Sequence, residues 1–316
     1  MEAGQVATKS KAHYDYIIVN DVPTKLLTIG KTSISDCSQE PLFIFFPGNP
    51  GIIEYYEEFL QEIYDNFEGK LHVCGLAHAG HDILPRNLRA PPPNENWHLY
   101  GLQGQVAHKV DFVKTHISNV RPVFLAGHSI GAYMVLQTLN QRKELNVKRS
   151  FLLFPVFERL AQTPNAKALV LSSLLLKLAT WLLVALLFVL PEFVKDALIE
   201  WHFKDIQPSM RSRIKKATLT LFTPAVFKLM INMAEDELDQ VKQRDEGTIR
   251  DNLKRLTFYY GSEDKWCPIE YFRDMRRAFP DADLNLCEHN LKHAFTLHST
   301  CEMSAFVSGR VKDSLP

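Results

Sequence analysis

Gly127-His128-Ser129-Ile130-Gly131 places one serine between two glycines at the spacing of a nucleophile elbow. The chemistry that such a serine can do is acyl transfer, its hydroxyl attacking a carbonyl carbon and holding the acyl group for a time. The geometry required is a strand that turns straight into a helix with the serine at the apex. Val123 to Ala126 reads as the buried strand and Ala132 onward as the helix. Gly127 and Gly131 flank the apex because a β-carbon at either position would collide with the neighbouring strand or helix. Ile130 N–H then falls at a helix N-terminus, where it can donate to a developing oxyanion. The competing reading is a tight turn with an incidental serine, and an acid and a histidine downstream decide between the two.

The acid follows an apolar run at Leu256–Tyr260, in Gly261-Ser262-Glu263-Asp264-Lys265-Trp266. An acid after a glycine turn at the carboxyl end of a strand is well placed to orient an imidazole. Asp264 is the preferred residue and Glu263 the alternative, and an ordinary helix-capping turn would also favour Asp. Past the last apolar run lies Glu288-His289-Asn290-Leu291-Lys292-His293-Ala294-Phe295. His293, on the loop before a closing helix, can reach back over the strand ends to Ser129. His289 is closer to its strand, and His298 is expected inside the closing helix. The order Ser129, Asp264, His293 is that of α/β-hydrolases and differs from chymotrypsin and subtilisin. His293 would take the Ser129 proton and later hand it to the leaving alcohol, while Asp264 holds the imidazole in the right tautomer. A second oxyanion donor is expected from the loop after an early strand. Pro47-Gly48-Asn49-Pro50-Gly51 offers Asn49 N–H, since Pro50 has none to give.

The elements that must carry these residues follow from periodicity. Tyr14–Val19 and Lys25–Ile29 read as a pair of strands across an Asn-Asp-Val-Pro turn. Pro41–Phe46 is a continuous apolar run, as in a strand covered on both faces. Leu71–Leu76, Ser150–Phe154, Arg255–Tyr260 and Asp283–Cys287 are further strands. Helices are expected over Tyr55–Asn66, Leu102–His116 and Tyr271–Ala278, with the closing helix from Phe295. Strands alternating with helices imply an α/β protein, its sheet mostly parallel with helices on both faces. After Phe157 the alternation stops for roughly ninety residues, too long for a simple loop. The reading is a core in two parts, 1–157 and 251–316, interrupted by an inserted helical cap over 158–250.

Composition narrows the function classes. Among 316 residues, Lys+Arg and Asp+Glu balance at 36 each, so no global field points to nucleic acid. The five cysteines are scattered, with no Cys-x-x-Cys pair and no His/Cys cluster at metal-ligand spacing, so neither a metal nor an organic cofactor is expected. Their number and spread fit free thiols in a reducing compartment. The N-terminus has no basic-then-apolar signal, and the chain is expected to start in the cytosol. One segment stands out: Ala168–Pro191 is largely apolar and carries one charge, Lys177. Its length approaches the ~20 residues of a spanning helix. A single span would part Ser129 from Asp264 and His293, so the segment is not expected to cross. It either packs inside the cap or lies in a lipid surface, with Trp181, Leu182, Leu186 and Phe188 in contact with lipid. A helix apolar on all sides is more than a small cap can cover, which favours lipid, and a droplet monolayer suits it better than a bilayer. Arg211, Arg213, Lys215 and Lys216 nearby could meet lipid phosphates, although such a run is more often a solvated helix face.

With Pro-Gly-Asn-Pro-Gly, Gly-His-Ser-Ile-Gly, Gly-Ser-Glu-Asp and Leu-Lys-His-Ala-Phe together, the chain resembles the lipid droplet-associated hydrolases over essentially its whole length. The resemblance implies an α/β-hydrolase fold and attachment to lipid droplets and the cytosolic face of the endoplasmic reticulum. It also implies a serine esterase acting on neutral lipid esters, cholesteryl esters being the usual suggestion, with Ser129, Asp264 and His293 at the motif positions. A second class of function stays open: a droplet-surface protein that acts in lipid storage by binding or scaffolding, with weak catalysis.

Overall fold

Leu42–Phe46 (β3) and Val123–His128 (β5) are buried along their whole length and lie side by side, parallel, in register from Leu42 against Val123 to Phe46 against Gly127. Runs this apolar are stable only when both faces of the sheet are covered. The computed structural model describes residues 10–31, 34, 40–171, 182, 185–204, 206, 208–287, 289 and 291–315. Its sheet adds His13–Val19 (β1), Val22–Ile29 (β2), His72–Leu76 (β4), Val147–Leu153 (β6), Leu256–Gly261 (β7) and Asp283–Cys287 (β8). The eight strands run in the order β1-β2-β4-β3-β5-β6-β7-β8, with β1 and β2 antiparallel to their neighbours and the rest parallel.

The opening hairpin is tighter than the sequence reading. Asn20 and Asp21, at φ 48° and 64°, make the turn by themselves, and Pro23 is already in β2 opposite Ile18. Such positive-φ pairs match the twist of a two-strand ribbon, and Asn and Asp tolerate them. At the other end the closing helix starts later than expected. Phe295–Leu297 is a single 3-10 turn, and the helix runs over Thr300–Lys312, leaving His298 outside it.

Eleven helices are described. Glu57–Asp65 (α1), Trp97–Tyr100 (α2), Leu102–His116 (α3) and Ile130–Gln141 (α4) alternate with the first strands. Between β6 and β7 come Pro164–Leu171 (α5), Glu192–His202 (α6), Pro208–Leu221 (α7), Pro224–Gln240 (α8) and Glu246–Asn252 (α9). Ile269–Ala278 (α10) and Thr300–Lys312 (α11) complete the set. Among the described residues no single helix is long and apolar enough to cross a membrane. Met210–Leu221 and Pro224–Gln240 have the length and composition together, but they bend by 79°. Their apolar faces are buried at Ile214, Ala217, Val226 and Met233.

Three of the four basic residues of the 211–216 run bond to protein groups, and Lys216 is exposed. Arg213 pairs with Glu57 and Glu58 on α1, Lys215 pairs with Asp196, and Arg211 donates to the carbonyls of Lys204 and Ile206.

Phe43 is fully buried beside Phe151, with ring centroids 6.2 Å apart, whereas Val120 is 70% exposed in a loop. Phe43→Ala should therefore lower unfolding free energy by about 3–5 kcal/mol in urea titrations, and Val120→Ala should stay within about 0.5 kcal/mol.

Candidate active site

Ser129 occupies the step from β5 into α4 with φ 55° and ψ −122°, a backbone conformation that L-residues rarely adopt. The surroundings over-determine it. Ser129 N–H donates to the Leu153 carbonyl at 2.9 Å, and Ser129 O accepts from Ala132 and Val156 at 3.0 and 3.1 Å. A β-carbon on Gly127 would stand 2.2 Å from the Gly131 carbonyl, and one on Gly131 would stand 2.3 Å from the Phe46 carbonyl. Only glycine lets the helix come this close to two strands.

The side chains converge from three distant stretches. His293 Nε2 lies 2.9 Å from Ser129 Oγ, and its Nδ1 lies 2.6 Å from Asp264 Oδ2. Asp264 Oδ1 accepts from the backbone N–H groups of Trp266 and Cys267 at 2.7 and 3.2 Å. The Asp264 side chain has no solvent exposure, while His293 keeps 20%. Burial alone would raise the Asp264 pKa. The His293 hydrogen bond and charge, with the two amides, outweigh it and hold the carboxyl below its ordinary value. An ionised Asp264 can only accept, so Nδ1 carries the hydrogen and Nε2 is left free to accept the serine proton. Glu263, His289 and His298 are exposed and take no part in this arrangement.

The loop Pro47–Gly51 closes over the elbow. A β-carbon on Gly48 would stand 2.9 Å from Ser129 Cβ, so this backbone approaches the serine as closely as packing allows. Gly51, at φ 75°, folds the loop back through its N–H to Gly48 O at 2.6 Å, and His78 N–H binds Gly51 O at 3.0 Å. Among the described residues neither Ile130 N–H nor Asn49 N–H donates to a backbone carbonyl. The Asn49 side chain turns the other way, its Nδ2 donating to the Met230 carbonyl and to Glu237 on α8.

Two residues that sequence reasoning missed tie this loop to the histidine. Gly48 N–H donates to Tyr56 Oη at 3.1 Å, Tyr56 Oη lies 2.8 Å from His128 Nδ1, and His128 Nε2 lies 2.9 Å from the His293 carbonyl. A carbonyl can only accept, so Nε2 carries the hydrogen and Nδ1 accepts from the tyrosine. Burial, with His293 alongside, pushes His128 down to about 3, which keeps it neutral. The only sequence signal was that His128 is one of the variable positions of the elbow motif.

Of the residues expected to meet lipid, Leu182, Leu186 and Phe188 are exposed. Trp181 lies outside the described residues. Exposed apolar surface continues through Val189, Phe193 and Trp201.

A family model described as lipid-droplet associated hydrolase matches residues 39–296. The chain belongs to that family. Among relatives, the lipid droplet-associated hydrolase of Gallus gallus is 37% identical over 87% of this chain and 85% of its own length. That of Homo sapiens is 34% identical over 96% of each chain. A solved serine hydrolase from Cycloclasticus zankles superposes with a TM-score of 0.63 at 15% identity, covering 95% of this chain and 98% of its own. The family's fold is therefore that of the α/β-hydrolases, a mostly parallel sheet flanked by helices.

The buried histidines predict an acid limb in stability. Burial pushes His81 down to about 4 and His128 to about 3. Above about pH 6.5 both rings are neutral, folded or unfolded, and no cost arises. Below it the unfolded chain binds protons that the folded chain refuses, so stability falls by about 1.4 kcal/mol per pH unit for each ring. That fall ends for each ring once its folded pKa is passed. Urea titrations of His128→Gln between pH 6 and 4.5 should show a slope shallower by about one proton than wild type.

Proposed function

We propose that the chain is a serine hydrolase of carboxylic esters, acting on neutral lipid at a droplet surface. The observation that carries this reading is the continuous hydrogen-bond path from Ser129 Oγ through His293 to Asp264 at a strained strand-to-helix turn. Ser129 Oγ attacks the ester carbonyl as its proton passes to His293 Nε2. The carbonyl electron pair moves to oxygen, which Ile130 N–H and Asn49 N–H stabilise. Collapse of the tetrahedral adduct breaks the bond to the alcohol, which leaves with the proton from His293. Water, deprotonated by the same imidazole, then attacks the acyl-enzyme and releases the carboxylic acid with Ser129 restored. Asp264 remains ionised throughout and stabilises the imidazolium. The steps close without a metal or organic cofactor.

Residues 158–250 act in this reading as the cap over an α/β-hydrolase core made of 1–157 and 251–316. Leu182, Leu186 and Phe188, with Trp181 and the neighbouring Phe193 and Trp201, dock the cap on the phospholipid monolayer and open it toward the oil. The insertion also holds an apolar cavity of about 380 Å³ lined by Leu198, Ile199, Phe203, Leu221 and Phe222, space suited to a hydrocarbon chain. The names of the relatives support the droplet. The cytosolic face of the endoplasmic reticulum is the second expected membrane, and cholesteryl esters the leading substrate class. A binding or scaffolding role in lipid storage is the second reading, favoured by an apolar strip on elements apart from those that carry Ser129.

Fluorophosphonate labelling of the purified protein should modify wild type and not Ser129→Ala, and dispersed neutral lipid should compete. Asp264→Asn should keep the fold while lowering turnover about ten-thousandfold. Absence of labelling in wild type would transfer the weight to the scaffold reading. Droplet flotation tests the docking strip. Each Phe or Leu that enters lipid contributes about 1.5–3 kcal/mol, so Phe188→Glu with Leu186→Glu should weaken binding by tenfold or more. Unchanged flotation would remove the strip from the mechanism.

A further inference from the structure

Glu237 is a buried acid on α8, a helix of the insertion, and nothing in the hydrolytic scheme above uses it. Its Oε1 accepts from Asn49 Nδ2 at 3.1 Å, and the same Nδ2 donates to the Met230 carbonyl at 3.0 Å. Met230 and Glu237 are about two turns apart on the helix. Both hydrogens of the amide are thus held by α8, while Asn49 Oδ1 is buried without a partner among the described residues. The helix itself is fixed to the core at this end. Asp236 accepts from Leu102 N–H at the start of α3, and just past the helix the Val241 and Lys242 carbonyls accept from Leu160 and Arg159, at the other end of the same inserted segment. Burial, with Asp236 beside it, pushes the Glu237 carboxyl up to about 8, so near neutral pH the buried group is chiefly the uncharged acid. An uncharged acceptor can sit near the oxyanion position without repelling it, which a carboxylate could not.

We propose that Glu237 is a positioning residue for the second oxyanion donor: by clamping the Asn49 side chain to α8 it sets the direction of the Asn49 N–H over Ser129, so that the insertion completes the site. The proposal rests on the reading of Ser129 as nucleophile. Gly51 N–H holds the Gly48 carbonyl on one side of the Gly48–Asn49 peptide unit, and the side-chain clamp holds the Asn49 Cα that follows it against α8. Removing the Glu237 acceptor leaves a buried N–H unpaired, and the loop regains a partner only by moving. Glutamine at 237 keeps both the size and the acceptor, whereas leucine keeps the size alone.

The test uses the full chain and p-nitrophenyl butyrate, a soluble ester that needs no interface. Kinetics of wild type, Glu237→Gln, Glu237→Leu, Asn49→Ala and the Glu237→Leu/Asn49→Ala double variant are compared, with fluorophosphonate labelling rates and thermal melting alongside. Loss of a whole oxyanion donor costs about a hundred- to a thousandfold, so a misdirected one should cost about ten- to a hundredfold. That loss should fall in kcat with KM nearly unchanged, and in the labelling rate, for Glu237→Leu. Glu237→Gln should restore wild-type turnover, and the double variant should be no slower than Asn49→Ala, because both substitutions break one bond. An unchanged kcat in Glu237→Leu, a loss confined to KM, or losses that multiply in the double variant would overturn the clamp. Should Glu237→Leu fail to fold, Asn49→Ala against Glu237→Gln reads the same bond from its other end. A wild type that the fluorophosphonate never labels overturns the Ser129 reading and the clamp with it. A labelled wild type with an indifferent Glu237→Leu overturns the clamp alone.

Discussion

Ser129 has to stand at φ 55° and ψ −122° for its hydroxyl to clear the sheet, and a backbone there costs about 1–3 kcal/mol. The rest of the architecture makes that conformation the best one available. β5 is held between β3 and β6, so the strand end cannot twist away to relax. The Leu153 carbonyl from β6 and the Val156 amide beyond it grip both sides of the Ser129 peptide. On the far side, the two elbow glycines let α4 start at Ile130, immediately after the serine and earlier than the Ala132 read from sequence. Starting there directs the unpaired amides of the first helical turn past Ser129. The strain, the glycines and the Ile130 amide are thus one constraint seen from three sides.

Around this turn the polar groups are mostly uncharged. His128 is held neutral between Tyr56 and the His293 carbonyl, and His78 and His81 beneath the Pro47–Gly51 loop are pushed down by burial. Asp264 is the exception, a carboxylate kept ionised against its own burial by His293 and two amides. This asymmetry gives an imidazolium more than it gives an imidazole. A positive charge that appears on His293 meets one fixed negative charge in a medium with little else to screen it. The same neutral packing also fixes distances, because the path from Gly48 through Tyr56 and His128 to the His293 carbonyl joins the Pro47–Gly51 loop to the loop that carries His293.

The sequence made Ser129, Asp264 and His293 legible because each follows a strand, and order along the chain survives without any knowledge of strand order in space. The placement of β4 between β2 and β3 was not legible, since nothing in His72–Leu76 distinguishes a neighbour of Leu26–Ile29 from one of Leu42–Phe45. Tyr56 and His128 were missed for a related reason. Their partners lie 72 and 165 residues along the chain, and their hydrogen bonds exist only once the sheet has assembled. The turn at Phe295–Leu297 was missed because its apolar residues read as helix, although Phe295 is spent on packing against Phe59, Phe154 and His128. Tertiary packing took a residue that periodicity had assigned to the next element.

The segment between β6 and β7 divides its chemistry by depth. Toward solvent it presents Phe188, Val189, Phe193 and Trp201, while two of its basic side chains, Arg213 and Lys215, pair with Glu57, Glu58 and Asp196. A surface that leaves its aromatics outside is poorly suited to water. It suits short-range entry into an apolar layer, where the gain comes from area rather than charge. On its core side the same insertion carries polar groups, Asp236 and Glu237, that bond to backbone and side chain around the site. Force applied at the outer face has a covalent route to these bonds through α6, α7 and α8. α7 and α8 meet at a bend of 79° next to Pro224, and each is tied to the sheet side of the molecule, Arg213 of α7 to Glu57 and Glu58 and Asp236 of α8 to the Leu102 amide. Apolar side chains facing outward and polar anchors facing inward are therefore carried by one continuous stretch of chain between β6 and β7.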